Sequence, residues 1–332
     1  MTLLKLKNCA RMALAASFLI ALSGALSRAE EKSDAVPLNP TPLTEFPEAE
    51  VIPDAAELSR LLSPEVRKIG GLDWHIDYSE AYRQARDEKK MLLLVFRDEA
   101  NPRIADIYER DVLASDELKE PLAKVVRVVL PLDVRRPVSD ADSPGKKMLE
   151  DNSFQYMYGR QGIAMIDLTE PKSELHGRVV SAHPFSNGRL YTARGTKIIL
   201  GLPRGTVTQR ALIYAVRLHP YAPISTTAGQ CHGYLCKQAH QSSHLMMTYG
   251  SVGHHDWGNR YSEIAATTGK SAMEVAAMSG NRSLIDAAIE VVDQWYGSPA
   301  HWQIMSSPAS IFGYDLVHDS AGNWWGTGLF AN

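Results

Sequence analysis

Hydrophobic positions change their spacing several times along the chain. Residues 30–58 set Pro37, Pro40, Pro42, Pro47 and Pro53 among acidic residues with little apolar periodicity, which predicts an extended tether. From 59 to 220, short apolar runs alternate with helical patterns. Asp77 or Ser79 can cap a helix running through Lys89, and MLLLVF (91–96) then reads as a buried strand. A helix opened by Pro102 and a second capped by Ser115 follow. VVRVVLPLD (125–133), GIAMIDL (162–168) and GRVVSAH (177–183) predict further strands, and TQRALIYAVRL (208–218) an amphipathic helix. This alternation is an α/β pattern.

From 221 to 332 the pattern is different. KQAHQSSHLMMTYG predicts a helix ending at Gly250. Ser283 opens another helix, along which Ile285, Ala288, Ile289, Val292 and Trp295 recur at helical spacing. NWWGTGLF (323–330) predicts a terminal strand. Helices flanking a small sheet imply an α+β layer packing.

The first 29 residues combine Lys5, Lys7 and Arg11 with an apolar run over 12–26 and a small-residue exit at Ser27-Arg28-Ala29. This predicts a secretory signal peptide cleaved after Ala29, and so a secreted or periplasmic protein. The run is too short to span a bilayer, and no later stretch approaches the required length, so no transmembrane segment is expected. Of the 35 Lys and Arg, four lie in this segment, which has no Asp or Glu, leaving 31 against 38 and a net charge of −7 for the processed chain. Without clustered basic residues, nucleic acid is excluded as a partner class.

Processing removes Cys9 and leaves Cys231 and Cys236, in GQCHGYLCK. In an oxidising compartment these predict a short-loop disulfide; a zinc site with His232 and His240 is the alternative. His240 and His244 share a helix face, but Gln241 stands where a zinc peptidase would need glutamate. His183, His219 and His318 lack partner spacing and read as packing or surface residues. Trp257, Trp302, Trp324 and Trp325 read as core or cleft walls.

Two resemblances organise these signals. Residues 59–220, with DYSEAYRQARDEKKMLLLVF followed by strands and a closing helix, resemble a thioredoxin-like domain. The loop that carries the redox pair in that family is RDEANPRIA here and has no cysteine, and Gln161 stands near its cis-proline position. The resemblance therefore implies a redox-inactive module. The C-terminal segments resemble the CAP superfamily (cysteine-rich secretory, antigen 5 and pathogenesis-related proteins) in a compact bacterial, SCP-like form. Gly250 and His254 fit its Gly-x-x-x-His, with Met246 upstream. Met273-Glu274-Val275 corresponds to its Gly-Glu-Asn turn, and Trp295, Ser298, Pro299 and His301 fit its Trp-x-x-Ser-Pro-Gly-His stretch.

The CAP resemblance implies a three-layer α+β sandwich with His254, Glu274, His301 and Trp302 lining one cleft. The second acid of many members is missing. His255, adjacent to His254, is an alternative pocket residue. His254 and His301 are the implied zinc ligands, with Glu274 as third ligand or base. Two functions follow as expectations. One is a non-enzymatic binding or adaptor protein whose cleft takes a small ligand, a lipid or a divalent ion, with an envelope protein as the alternative partner. The other is a metal-assisted hydrolase. No serine or cysteine nucleophile motif accompanies the cleft.

Overall fold

The computed structural model describes residues 65–136, 145–186, 190–222 and 225–332. The expected signal peptide (1–29) and tether (30–58) lie outside them. Two mixed sheets organise the described chain. The first has strand order β1-β2-β4-β3-β5-β6, with β1 Val66–Ile69, β2 Leu72–His75, β3 Leu92–Arg97, β4 Val126–Pro131, β5 Gly162–Ile166 and β6 Val179–Pro184. β3 runs parallel to β4, and β5 and β6 follow antiparallel. Every residue of β3 is buried, as its unbroken apolar run requires of a central strand.

The β1–β2 hairpin is absent from the pattern reading, because both strands are four residues long. It turns through Gly70 and Gly71, at φ 59° and 78°. A Cβ on Gly70 would stand 2.7 Å from the Ala114 Cα, so the turn needs glycine for space as well as for φ. Between β2 and β3, α1 (Tyr78–Asp87) is capped by Asp77, whose carboxylate accepts the Glu80 amide at 2.8 Å. The helix stops before Lys89, which is left-handed at φ 52°. α2 (Arg103–Ile107) continues into a π-turn at Tyr108–Leu113, and α3 (Asp116–Ala123) precedes β4. After β6 come α4 (Ala193–Leu200) and α5 (Val207–Leu218). α5 starts one residue before the expected Thr208, under a capping box of Thr206 and Gln209.

The second sheet has the order β7-β9-β10-β8, with β7 Gln230–Cys231, β8 Ala272–Ser279, β9 Ile311–His318 and β10 Trp324–Ala331. α6 (Gly233–Tyr249) ends at left-handed Gly250, as the sequence predicts. α7 (Trp257–Thr268), α8 (Leu284–Gly297, capped by Ser283) and α9 (Pro299–Met305) complete it. Helices lie on both faces. A Cβ on Gly313 of β9 would collide with the backbone of Leu235 and Cys236 in α6, and one on Gly326 of β10 would meet Val291 of α8 at 2.8 Å. α5 packs on β6, β9 and α8, and one apolar core runs from Leu93 and Val95 through Leu212 and Val216 to Val291 and Phe330. Both sheets lie in a single compact unit.

Candidate functional site at the outer edge of β8

β8 is the edge strand of the second sheet. Its alternation sends Val275 and Ala277 into the core shared with α8, so Glu274 takes the opposite face. There it meets Arg260 of α7. Arg260 Nη1 donates to Glu274 Oε2 at 2.5 Å and Nη2 to Oε1 at 3.0 Å, while Nε and Nη2 also donate to the His255 carbonyl. Neither side chain exceeds 1% exposure. A planar guanidinium matched to a carboxylate by two bonds is the geometry in which two buried charges best compensate each other. Trp257, one turn earlier, covers the guanidinium with its ring at 5.3 Å.

His254 comes from the loop between α6 and α7, and its Nδ1 lies 2.9 Å from Glu274 Oε1. Burial pushes the Glu274 carboxyl up. Hydrogen bonds from His254 and Arg260, with their charges, outweigh it and hold the group below its ordinary value. An ionised carboxylate only accepts, so in the neutral ring Nδ1 carries the proton and Nε2 keeps its lone pair. The His254 side chain is 45% exposed, so that lone pair belongs to a solvent-facing ring. His301 of α9 faces it, ring centroids 6.1 Å apart at 70°. Burial, and then the charge of His254, lower the pKa of His301 and favour its neutral form. Trp302, the next residue of α9, packs edge-on against Tyr296 at 4.9 Å and against His219 at 5.3 Å.

The structure thus brings His254, Glu274 and His301 together from a loop, a strand and a helix. Met273-Glu274-Val275 lies in the first half of β8 rather than in a turn. His255 stands apart: its Nε2 contacts the Ser251 carbonyl at 3.0 Å, and its own carbonyl holds Arg260. His240 pairs with buried Asp315 at 3.1 Å, away from His244. His183 is wholly buried between Tyr191 and Tyr214, and His318 stacks on Trp324. Trp324 and Trp325 are core residues. Cys231 and Cys236 are thiols with sulfurs 3.7 Å apart.

Arg260 is the site residue that sequence reasoning missed. In WGNRYSEIAATT it reads as one polar position among several, although Ile264, one turn on, is buried on the same face. Its presence changes what Glu274 can do. Among the described residues no set of three His, Cys, Asp or Glu side chains is gathered to hold a metal. With both carboxylate oxygens engaged, the donors left for an ion are the two imidazoles, and Glu274 serves as the outer partner that orients His254. No protein-family model matches the chain, and no curated protein or solved structure does either.

Proposed function

We propose that the chain is an exported, non-enzymatic binding or adaptor protein, in which a redox-inactive thioredoxin-like half carries a CAP-type half. The His254 and His301 pair takes a small ligand, a lipid or a divalent ion. The order β2-β4-β3-β5-β6, with β2, β4 and β3 parallel and β5 and β6 following antiparallel, supports the first half of this reading. The helix-covered sheet of β7 to β10 supports the second.

The observation that carries the functional part is the bond between Glu274 and His254 Nδ1. It fixes the tautomer that presents Nε2 to a ligand, and a divalent ion is the ligand this suits best. His254 and His301 would hold the ion, and zinc bound there would acidify a coordinated water and polarise a carbonyl. The same pair could orient a general base, which keeps a metal-assisted hydrolase as the rival. In that case His254 rather than Glu274 is the base, because Glu274 is tied to Arg260. Metal analysis of the purified chain, with ester and peptide hydrolysis assayed on the same samples, separates the two. Bound zinc without turnover supports a binding protein, and turnover lost in His254→Ala supports the hydrolase.

A further inference from the structure

The two thiols stand where a strand hands over to a helix. Cys231 ends β7, His232 occupies the cap position, and Cys236 lies one turn into α6. Their sulfurs are 3.7 Å apart, so a modest side-chain movement brings them to a bonded separation of about 2.05 Å. Their environments differ. Cys236 is 5% exposed against the Tyr314 backbone amide of β9, whereas Cys231 is only partly buried and lies within charge reach of Arg217 from α5. A helix N-terminus and a guanidinium both favour thiolate over thiol.

We propose that Cys231 and Cys236 form a dithiol–disulfide exchange site, Cys231 the attacking thiol and Cys236 the resolving one, acting on the disulfide of a small molecule or an extended peptide. The protonation states agree with this assignment. The Cys236 hydrogen bond and the Arg217 charge hold the Cys231 thiol below its ordinary value against burial, while the bond to Cys231 and burial push Cys236 far up.

The chemistry balances without a further reagent. The Cys231 thiolate attacks R–S–S–R′, forms Cys231–S–S–R′ and releases RS⁻, which takes up a proton. Cys236 then loses its proton and attacks the Cys231 sulfur. The Cys231–Cys236 bond closes and R′S⁻ leaves, to be protonated in turn. The dithiol loses two electrons, and the substrate disulfide gains them as two thiols. The reverse sequence, with a dithiol substrate, makes the site an oxidant. A thioredoxin-like half without cysteines and a thiol pair on the other sheet then lie in one chain.

The test begins with the reduced full-length wild-type chain under native conditions. Cys231 should be alkylated about tenfold faster than Cys236 or more, as its thiolate fraction and exposure require. In buffers of reduced and oxidised glutathione, mass measurement after an alkylating quench should show one intramolecular bond opening and closing with the buffer ratio. The Cys236→Ser chain should accumulate a mixed disulfide with glutathione on Cys231, and Cys231→Ser should not. Running oxidised glutathione and a disulfide-linked peptide in parallel shows which source reacts faster. A bond that glutathione opens only after unfolding would make the pair a structural cross-link and overturn the proposal. Equal alkylation of the two thiols, or no trapped mixed disulfide, would overturn it as well. The wild-type measurements stand even if a serine variant fails to fold.

Discussion

Arg260 and Glu274 are almost inaccessible to water, and neither charge would be tolerable there alone. Arg260→Met should therefore destabilise the fold by about 3–5 kcal/mol, the usual cost of leaving a buried charge without its partner. Arg260→Met with Glu274→Gln should recover much of that, because the uncompensated charge is gone. Urea unfolding midpoints of the three chains check this. His240 offers a second test. Its hydrogen bond to Asp315 raises its pKa against partial burial, and the other groups on that carboxylate, Thr208 and Gln209, do not titrate in this range. A group with a raised folded pKa contributes stability that is complete below the unfolded value, about 6.5, and is lost as pH rises through the folded one. The stability gap between wild type and His240→Ala should accordingly be full below about pH 6.5 and shrink as the pH is raised above it. An imidazole NMR titration should show His240 titrating above its ordinary value, and no higher than that value in Asp315→Asn, where only burial still acts. At this level the sequence was partly legible. His254, Glu274 and His301 could be picked out by their neighbours. Arg260 could not, because a buried ion pair leaves no mark on local periodicity.

The second sheet is held between helices by close approach at glycine. Gly313 lets the start of α6 sit directly on β9: a Cβ there would come within 2.4 Å of the Cys236 amide nitrogen, which is backbone and cannot turn aside. Gly313→Ala should lower stability by about 1–3 kcal/mol, the range for overpacking a tight contact, with the melting temperature as the readout. The same variant should disturb the separation of the two thiols, since Cys236 rides on that helix turn. Strong patterns coincide with the elements they predict: β3 with its apolar run, the end of α6 with Gly250, the start of α8 with its Ser283 cap. Those missed had weak or divided patterns. β8 alternates a core face of Val275 and Ala277 with a face holding Glu274, whereas the CAP resemblance places Met273-Glu274-Val275 in a turn on the strength of the glutamate alone. α7 sets Trp257, Tyr261 and Ile264 at helical spacing among polar residues, a stripe interrupted by the buried Arg260.

Across the molecule, α5 is the joint between the sheets. It packs on β6 and β9 together, and Thr208 and Gln209 at its start donate to Asp315 of β9 at 2.6 Å and 3.2 Å. A core continuous through that helix should unfold as one body, so calorimetry should give a single transition whose van't Hoff and calorimetric enthalpies agree. Pattern alone predicts an α/β half and an α+β half; that one helix packs on both sheets is a matter of three-dimensional packing that no local pattern records. The functional reading rests on two imidazoles that share one ligand, one of them oriented by Glu274. Calorimetric titration of zinc into the purified chain and into a His254→Ala/His301→Ala variant of unchanged melting temperature tests it. One zinc bound per wild-type chain and none by the variant is the result expected. Equal binding by both, or none by the wild type, would contradict the assignment.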